Sequence, residues 1–322
     1  MRDEVESMEY LKPNSLHDGD RVAIIAPSSP VSSMRSIQNA FSVFEANNLV
    51  PVLGQNLTHV RSDCWSAASI KERVDEIIWA FEDSSIAGVM VAEGGYSAIE
   101  LLPYLPFELV RESQKPFVGM SDVTSINNAF LRFSGLVNFL GPNIRIRDKE
   151  PLDQNSLATA LRLLKTSVAW HEKPWDNMQA PARCVCEGIA KGKAIGGNLT
   201  LFTALTGTPF MPNVDGAILF FEDIHTGGFE VSLCLNQLEL AGVFDSVAGV
   251  VFGEFCKVPD RGDGDLPIED VVVRFFKKRV PCVMGMNFSH GHTVATIPLG
   301  ADVLLDAEKG IVDFGNPFNV AA

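Results

Sequence analysis

Through residues 20–133, short apolar runs alternate with stretches of helical periodicity, and this alternation limits the fold more than any other feature of the chain. The first run, DRVAIIAPSS (20–29), stops at Pro27, and residues 34–47 follow with helical spacing. Residues 50–53 read as a second strand. In residues 69–82, Ile70, Val74, Ile77, Ile78 and Phe81 fall on one helical face. A third strand at 88–92 leads into Glu93-Gly94-Gly95-Tyr96, a helix is expected over 97–105, and residues 117–119 make a fourth strand. Strands alternating with helices predict an α/β fold with a parallel sheet wound on both faces, its functional edge at the strand carboxyl ends.

Three of those ends carry Pro27-Ser28-Ser29, Gly94-Gly95 and Ser121-Asp122. At the last, KPFVGMSDVT (115–124) runs from strand through tight turn to helix, which lifts Ser121 clear of the sheet and points helix-opening amides at whatever its hydroxyl attacks. On the motif alone, Ser-Asp also serves as an ordinary helix cap, and the second glycine of the hydrolase elbow is missing. Gly94-Gly95 reads either as a tight turn or as a place where a backbone amide approaches a ligand. No phosphate-binding fingerprint is present.

The pattern changes between residues 145 and 187, where charged residues, one helix at 155–165 and a Trp- and Pro-bearing stretch suggest a crossing between domains. The expected division is an extension at 1–10, a first domain at 11–145, the crossing at 146–187 and a second domain at 188–322. In the second half, residues 188–197 read as a turn-rich strand pair and 198–205 as a helix capped by Asn198. A strand at 217–221 delivers Glu222 and Asp223. A helix at 231–241, a strand at 247–252, a helix at 268–278, and strands at 282–286, 296–299, 302–305 and 310–314 complete a mixed domain. Glu222 is then either buried against a partner or the first solvated residue past its strand. His290 and His292, two of six histidines, sit in a Gly/Ser-rich loop rather than on a helical face. No Asp, Glu or Cys set completes a metal site around them, and Asp260, Asp263 and Asp265 lack the alternation and closing Glu of a calcium loop. A serine, a histidine and a carboxylate form the constellation for acyl transfer, which spacing alone does not establish.

Composition narrows the partners. Of 322 residues, 46% are hydrophobic, so the chain is a folded protein with a large core. The net charge of −14 and the lack of a clustered Lys/Arg surface argue against nucleic acid. Residues 1–10 resemble neither a signal nor a transit peptide, and no apolar run reaches membrane-spanning length, so a cytoplasmic protein is expected. The six scattered cysteines read as reduced, mostly buried thiols.

Six segments, VAIIAPSSP (22–30), EGGYSAIELLPYL (93–105), KPFVGMSDVT (115–124), GGNLTLFTALTGTP (196–209), AILFFEDI (217–224) and HGHTVATIPLGADVLLD (290–306), together resemble the LD-carboxypeptidase family, with microcin C self-immunity peptidases as a related branch. The resemblance implies a cytosolic serine peptidase that removes a terminal D-amino acid from a murein peptide, without cofactor or metal. It implies a Rossmann-like first domain joined to a barrel-like second domain, and a homodimer. By motif, Ser121 matches the nucleophile and Glu222 the carboxylate. His290 matches the base because it keeps the family interval to Thr296-x-Pro298-x-Gly300, with His292 as fallback. The amide of Asp122 and one from Gly94-Gly95 would form the oxyanion hole. Three departures stand out: Glu93 where the family often has Arg, Ser289 where Gly usually precedes the histidine, and Leu140 in place of a frequent histidine. Glu93 speaks against an anionic peptide terminus. The alternatives are a microcin-type peptidase acting on aminoacyl nucleotides and a catalytically silent peptide-binding protein.

Overall fold

The computed structural model describes residues 10–31, 33–57, 65–144, 154–165, 182–260, 262–291 and 294–319. Two sheets organise them. The first contains β1 (Arg21–Ile25), β2 (Val50–Leu53), β3 (Ile86–Val91), β4 (Phe117–Gly119), β5 (Asn138–Leu140) and β11 (Ile297–Leu299), in the order β11-β5-β4-β3-β1-β2. All pairings among β1 to β5 are parallel, and β11 joins antiparallel to β5. Strand order reverses at β1, because α1 (Met34–Ala46) leads outward to β2 and α2 (Ile70–Glu82) returns to β3 on the other side. In open α/β sheets, ligands bind at the carboxyl ends on either side of such a reversal. Here those ends carry Pro27-Ser28-Ser29 and Glu93-Gly94-Gly95.

The period-2 pleat of β1 explains the double winding. Ala23 and Ile25 pack in a core with Val74, Ile77 and Phe81 of α2, while Val22 and Ile24 pack on the opposite face with Ile37, Ala40 and Phe44 of α1. Both faces are dry, since Val22, Ala23, Ile24 and Ile25 are all fully buried. At about 25 cal/mol per Å² of apolar area, each such Val or Ile contributes roughly 1.5–3 kcal/mol. The start of α2 is fixed by a capping box: Ser69 accepts from the Glu72 amide and the Glu72 side chain accepts from the Ser69 amide.

The second sheet is mixed and curls toward a half-barrel. It contains β6 (Arg183–Cys186), β7 (Ile189–Asn198), β8 (Ile218–Ile224), β9 (Gly249–Cys256), β10 (Cys282–Met286), β12 (Asp302–Asp306) and β13 (Ile311–Phe314), in the order β13-β12-β7-β8-β9-β10-β6. Its inner residues, Phe220 and Phe252 among them, join the same core as Val22 and Ile24.

Several expectations change. Residues 188–197 are not a strand pair but most of the single strand β7, because their glycines serve close packing rather than turns. A Cβ on Gly192 would lie 2.1 Å from the Gly216 carbonyl oxygen, and one on Gly196 2.2 Å from that of Phe220. The helix expected at 97–105 is a 3-10 helix over Ala98–Tyr104 with Pro103 inside it. β8 runs beyond residue 221 and includes Glu222 and Asp223. β11 is not part of the second sheet, since it crosses back to pair with Asn138, Phe139 and Leu140 of β5. The helix α3 (Phe107–Ser113) and the short strands β5 and β6 add to the expected elements. Four of the five described cysteines, Cys184, Cys186, Cys234 and Cys256, are half-buried, and only Cys282 is buried.

Candidate active site

Ser121 follows β4 at the start of a 3-10 turn, Ser121–Val123, that continues into α4 (Thr124–Phe133). Its φ of 67° is left-handed, a conformation that costs a residue with a Cβ on the order of 1–3 kcal/mol. The residue before it is held on both edges: Asn143 Oδ1 accepts from the Met120 amide at 3.1 Å, and Asn143 Nδ2 donates to the Met120 carbonyl at 3.5 Å.

Gly94 lies directly against the serine. A Cβ there would stand 2.9 Å from Ser121 Cβ and 3.0 Å from its Oγ, so the missing side chain brings backbone up to the hydroxyl. Gly95 has φ 152°, and a Cβ on it would fall 2.1 Å from Ser29 Oγ and 2.4 Å from Ser28 Oγ. These glycines therefore do more than permit a turn. Asp122, fully buried, fixes the arrangement: its Oδ2 accepts from Ser28 Oγ, from the Ser97 amide at 2.8 Å and from the Ala98 amide at 2.7 Å. One carboxylate oxygen thus ties the ends of β1, β3 and β4 together.

Two charged residues of α2 support these ends from below. Arg73, only 1% exposed, donates to the carbonyls of Ala68, Pro27 and Ser97 and to Glu100 at 2.7 Å. Glu76 accepts from the amides of Ala26 and Asn56, each at 2.8 Å. Both sit beside Val74 and Ile77 on the buried stripe of α2. Charges inside an apolar stripe are the sequence signal that could have revealed them.

The second sheet supplies the carboxylate and the imidazole. Glu222, fully buried in β8, meets His290 Nδ1 with Oε2 at 2.7 Å. Asn198 Nδ2 stands 3.5 Å from Glu222 Oε1. Ser289 Oγ lies 3.2 Å from Glu222 Oε2, but its single proton has the Glu254 carbonyl at 2.6 Å. The serine found here in place of glycine therefore anchors the histidine loop to β9. His292 lies outside the described residues.

Asp223 holds the neighbouring backbone. It accepts from Asn198 Nδ2 at 2.7 Å, the Ile224 amide at 2.8 Å, the Thr200 amide at 3.0 Å and the Thr200 hydroxyl at 2.7 Å. Burial pushes its pKa up; the Thr200 hydroxyl and Asn198 oppose the shift, and Glu222 adds to it. A carboxyl with a raised folded-state pKa contributes stability that is full below the ordinary carboxylate value, about 4, and lost as pH rises through the raised value. Asp223→Asn is therefore expected to flatten the fall in stability above about pH 4, measured as urea midpoints at successive pH values. An unchanged slope would remove Asp223 as its source.

Asn198 and Thr124 join the two sets of groups. The Asn198 amide donates to Thr124 Oγ1 at 2.9 Å, Asn128 Nδ2 donates to the Gly196 carbonyl at 2.8 Å, and a Cβ on Gly197 would lie 2.6 Å from Thr124 Oγ1. The helix behind Ser121 is thereby seated on the end of β7, at Asn198, whose side chain also meets Glu222 and Asp223. Asn198 also fills the helix-capping role expected of it by accepting from the Leu201 amide. Glu93 is 9% exposed, and its Oε2 is buried. Among the described residues, no three His, Cys, Asp or Glu side chains gather as ligands for a metal ion, and no helix is long and apolar enough to cross a membrane.

A two-sheet α/β fold with a strained serine against a glycine backbone, seamed to a buried carboxylate paired with a half-buried imidazole, has the components acyl-transfer enzymes use. The model described as the LD-carboxypeptidase N-terminal domain matches residues 22–141, and that of the LD-carboxypeptidase C-terminal domain matches residues 191–305. The chain belongs to the LD-carboxypeptidase family. It is 30% identical, over 96% of its own length and 95% of the relative's, to a protein of Bacillus subtilis (strain 168) named as a probable murein peptide carboxypeptidase. The crystal structure of muramoyltetrapeptide carboxypeptidase from Oxalobacter formigenes superimposes with a TM-score of 0.74 at 28% identity, covering 93% of this chain and 100% of that one. Microcin C7 self-immunity protein MccF in complex with aspartyl sulfamoyl adenosine superimposes with a TM-score of 0.82 at 22% identity, covering 96% and 100%, a likeness of fold.

Proposed function

We propose that this chain is a serine-type LD-carboxypeptidase that removes the terminal D-amino acid from a murein-derived peptide, with Ser121 as nucleophile, His290 as general base and Glu222 as its orienting carboxylate. The observation that carries the reading is the 2.7 Å contact between buried Glu222 and half-buried His290, combined with Ser121 held at positive φ against Gly94. Glu222 accepts the proton on Nδ1, which leaves Nε2 to take the Ser121 proton as Oγ attacks the scissile carbonyl carbon. The oxyanion is received by the Asp122 amide and one from Gly94-Gly95. Collapse breaks the C–N bond, His290 returns the proton to the departing amine, and water then hydrolyses the seryl ester by the same route. Family membership supports the substrate class. Mass spectrometry of the purified protein with murein tri-, tetra- and pentapeptides tests it. The tetrapeptide should lose one D-residue. No product from any peptide would refute the proposal.

Glu93, 9% exposed and adjacent in sequence to Gly94, is the residue near the site that bears most directly on how a peptide's terminal carboxylate would be received. If Glu93 senses substrate charge, Glu93→Arg should raise kcat/KM for a peptide with a free carboxylate more than for its amidated counterpart. Equal change on both peptides would show that it does not.

A further inference from the structure

We infer that Cys186 and Cys282 are a redox-convertible pair, closing into a cross-strand disulfide that clasps the outer strand of the second sheet. The inference rests on register and is independent of the assignment of Ser121. β6 is the terminal strand of its sheet and pairs antiparallel with β10. In that pairing Cys186 stands directly opposite Cys282, and after a slip in register Cys184 stands opposite Val283. Directly opposed residues of antiparallel strands have Cα atoms about 4.5–5.5 Å apart, inside the roughly 4.4–6.8 Å span of a disulfide. Two thiols so placed lie within the Cα span of a disulfide.

Access and chemistry divide the roles. Cys186 and Cys184 are half-buried, whereas Cys282 is fully buried. Burial pushes the Cys282 thiol up, with Cys186 and Cys184 adding to the effect, so Cys282 is a poor first nucleophile. The oxidant is a low-molecular-weight disulfide, RSSR. Cys186 releases its proton and its sulfur attacks RSSR, expelling one thiolate and leaving a mixed disulfide. Cys282 then releases its proton and attacks the Cys186 sulfur, expelling the second thiolate. Two cysteine thiols are oxidised, RSSR is reduced to two RSH, and the two released protons complete those thiols.

The consequence is mechanical. Cys186 and Cys282 lie 96 positions apart (282 minus 186), so the bond would close a long loop as well as an edge strand. Such strands are the first parts of a sheet to open.

The test incubates the full-length protein with oxidised glutathione, blocks the remaining thiols by alkylation, and maps peptides by mass spectrometry beside thermal unfolding. The expected product is a Cys186–Cys282 cross-linked peptide, lighter by two hydrogens than its reduced parts, with no glutathione retained on it. Tm should rise by on the order of 5 °C and return on treatment with dithiothreitol. Cys186→Ala should abolish both link and rise, and Cys184→Ala should leave both. Glutathione held on Cys186 with Cys282 still alkylatable, a cross-link between another pair, or a Cys186–Cys282 link without a rise in Tm would overturn the proposal. Mapping of the unmodified sequence decides the pairing even if a variant fails to fold.

Discussion

Ser121→Ala is expected to lower kcat/KM on a murein tetrapeptide by about 10⁴-fold or more, the loss typical of a removed triad nucleophile. Tm should stay within about 3 °C of wild type, because removing one oxygen from a half-buried turn opens no sizeable cavity and costs little. Alanine keeps the Cβ that faces Gly94 and keeps the strain of φ 67°, so only the hydroxyl is lost. Glycine separates chemistry from strain. Ser121→Gly removes the same hydroxyl but also the penalty of a left-handed residue with a Cβ, so it should be equally inactive yet more stable than Ser121→Ala by about 1 kcal/mol. The checks are steady-state kinetics and denaturant midpoints on the three proteins. Activity within about tenfold of wild type in either variant would remove Ser121 from the chemistry.

The second large effect is expected at Glu222. Glu222→Gln should reduce kcat by about 10³-fold or more with KM little changed, because the interaction lost is with the imidazolium that exists only as the reaction proceeds. The amide fits the same space. It cannot balance the positive ring, however, and if its NH₂ turns to Nδ1 it fixes the opposite tautomer, with the proton on Nε2, where the base must be free. Because Glu222 is fully buried and Asn198 Nδ2 lies 3.5 Å from its Oε1, the variant has a ready partner for its amide oxygen and should fold. A fall in kcat below about tenfold, or a rise in KM alone, would mean that the 2.7 Å contact with His290 is structural rather than catalytic.

What could be read from the sequence follows from how local each signal is. The strands β1, β3 and β4 are visible because each is an apolar run with both faces buried, β2 because its short apolar run follows a helical stretch, and α2 because Val74, Ile77 and Phe81 repeat at helical spacing. β5 and β6, with three and four residues, are too short to show a period, and pairing with distant strands decides them. In the sequence the glycines of β7 look like turn residues, since nothing local announces that Gly192 faces the Gly216 carbonyl and Gly197 faces Thr124. The same division holds in the candidate site. Ser121, Gly94, Gly95, Glu222 and His290 were nameable from strand ends and motif resemblance. Asn143, Asn198, Ser289 and Arg73, which hold them, act through hydrogen bonds between segments far apart in sequence. Asp122 was read for its amide alone, whereas its carboxylate joins three strand ends.

Reaction with a fluorophosphonate, which forms a stable ester only with an activated serine, tests the central claim most directly. Peptide mapping after labelling should place one adduct on Ser121, with labelling suppressed by an excess of murein tetrapeptide and lost in His290→Ala. An adduct on another serine, or none on Ser121 in protein that hydrolyses the tetrapeptide, would contradict the account.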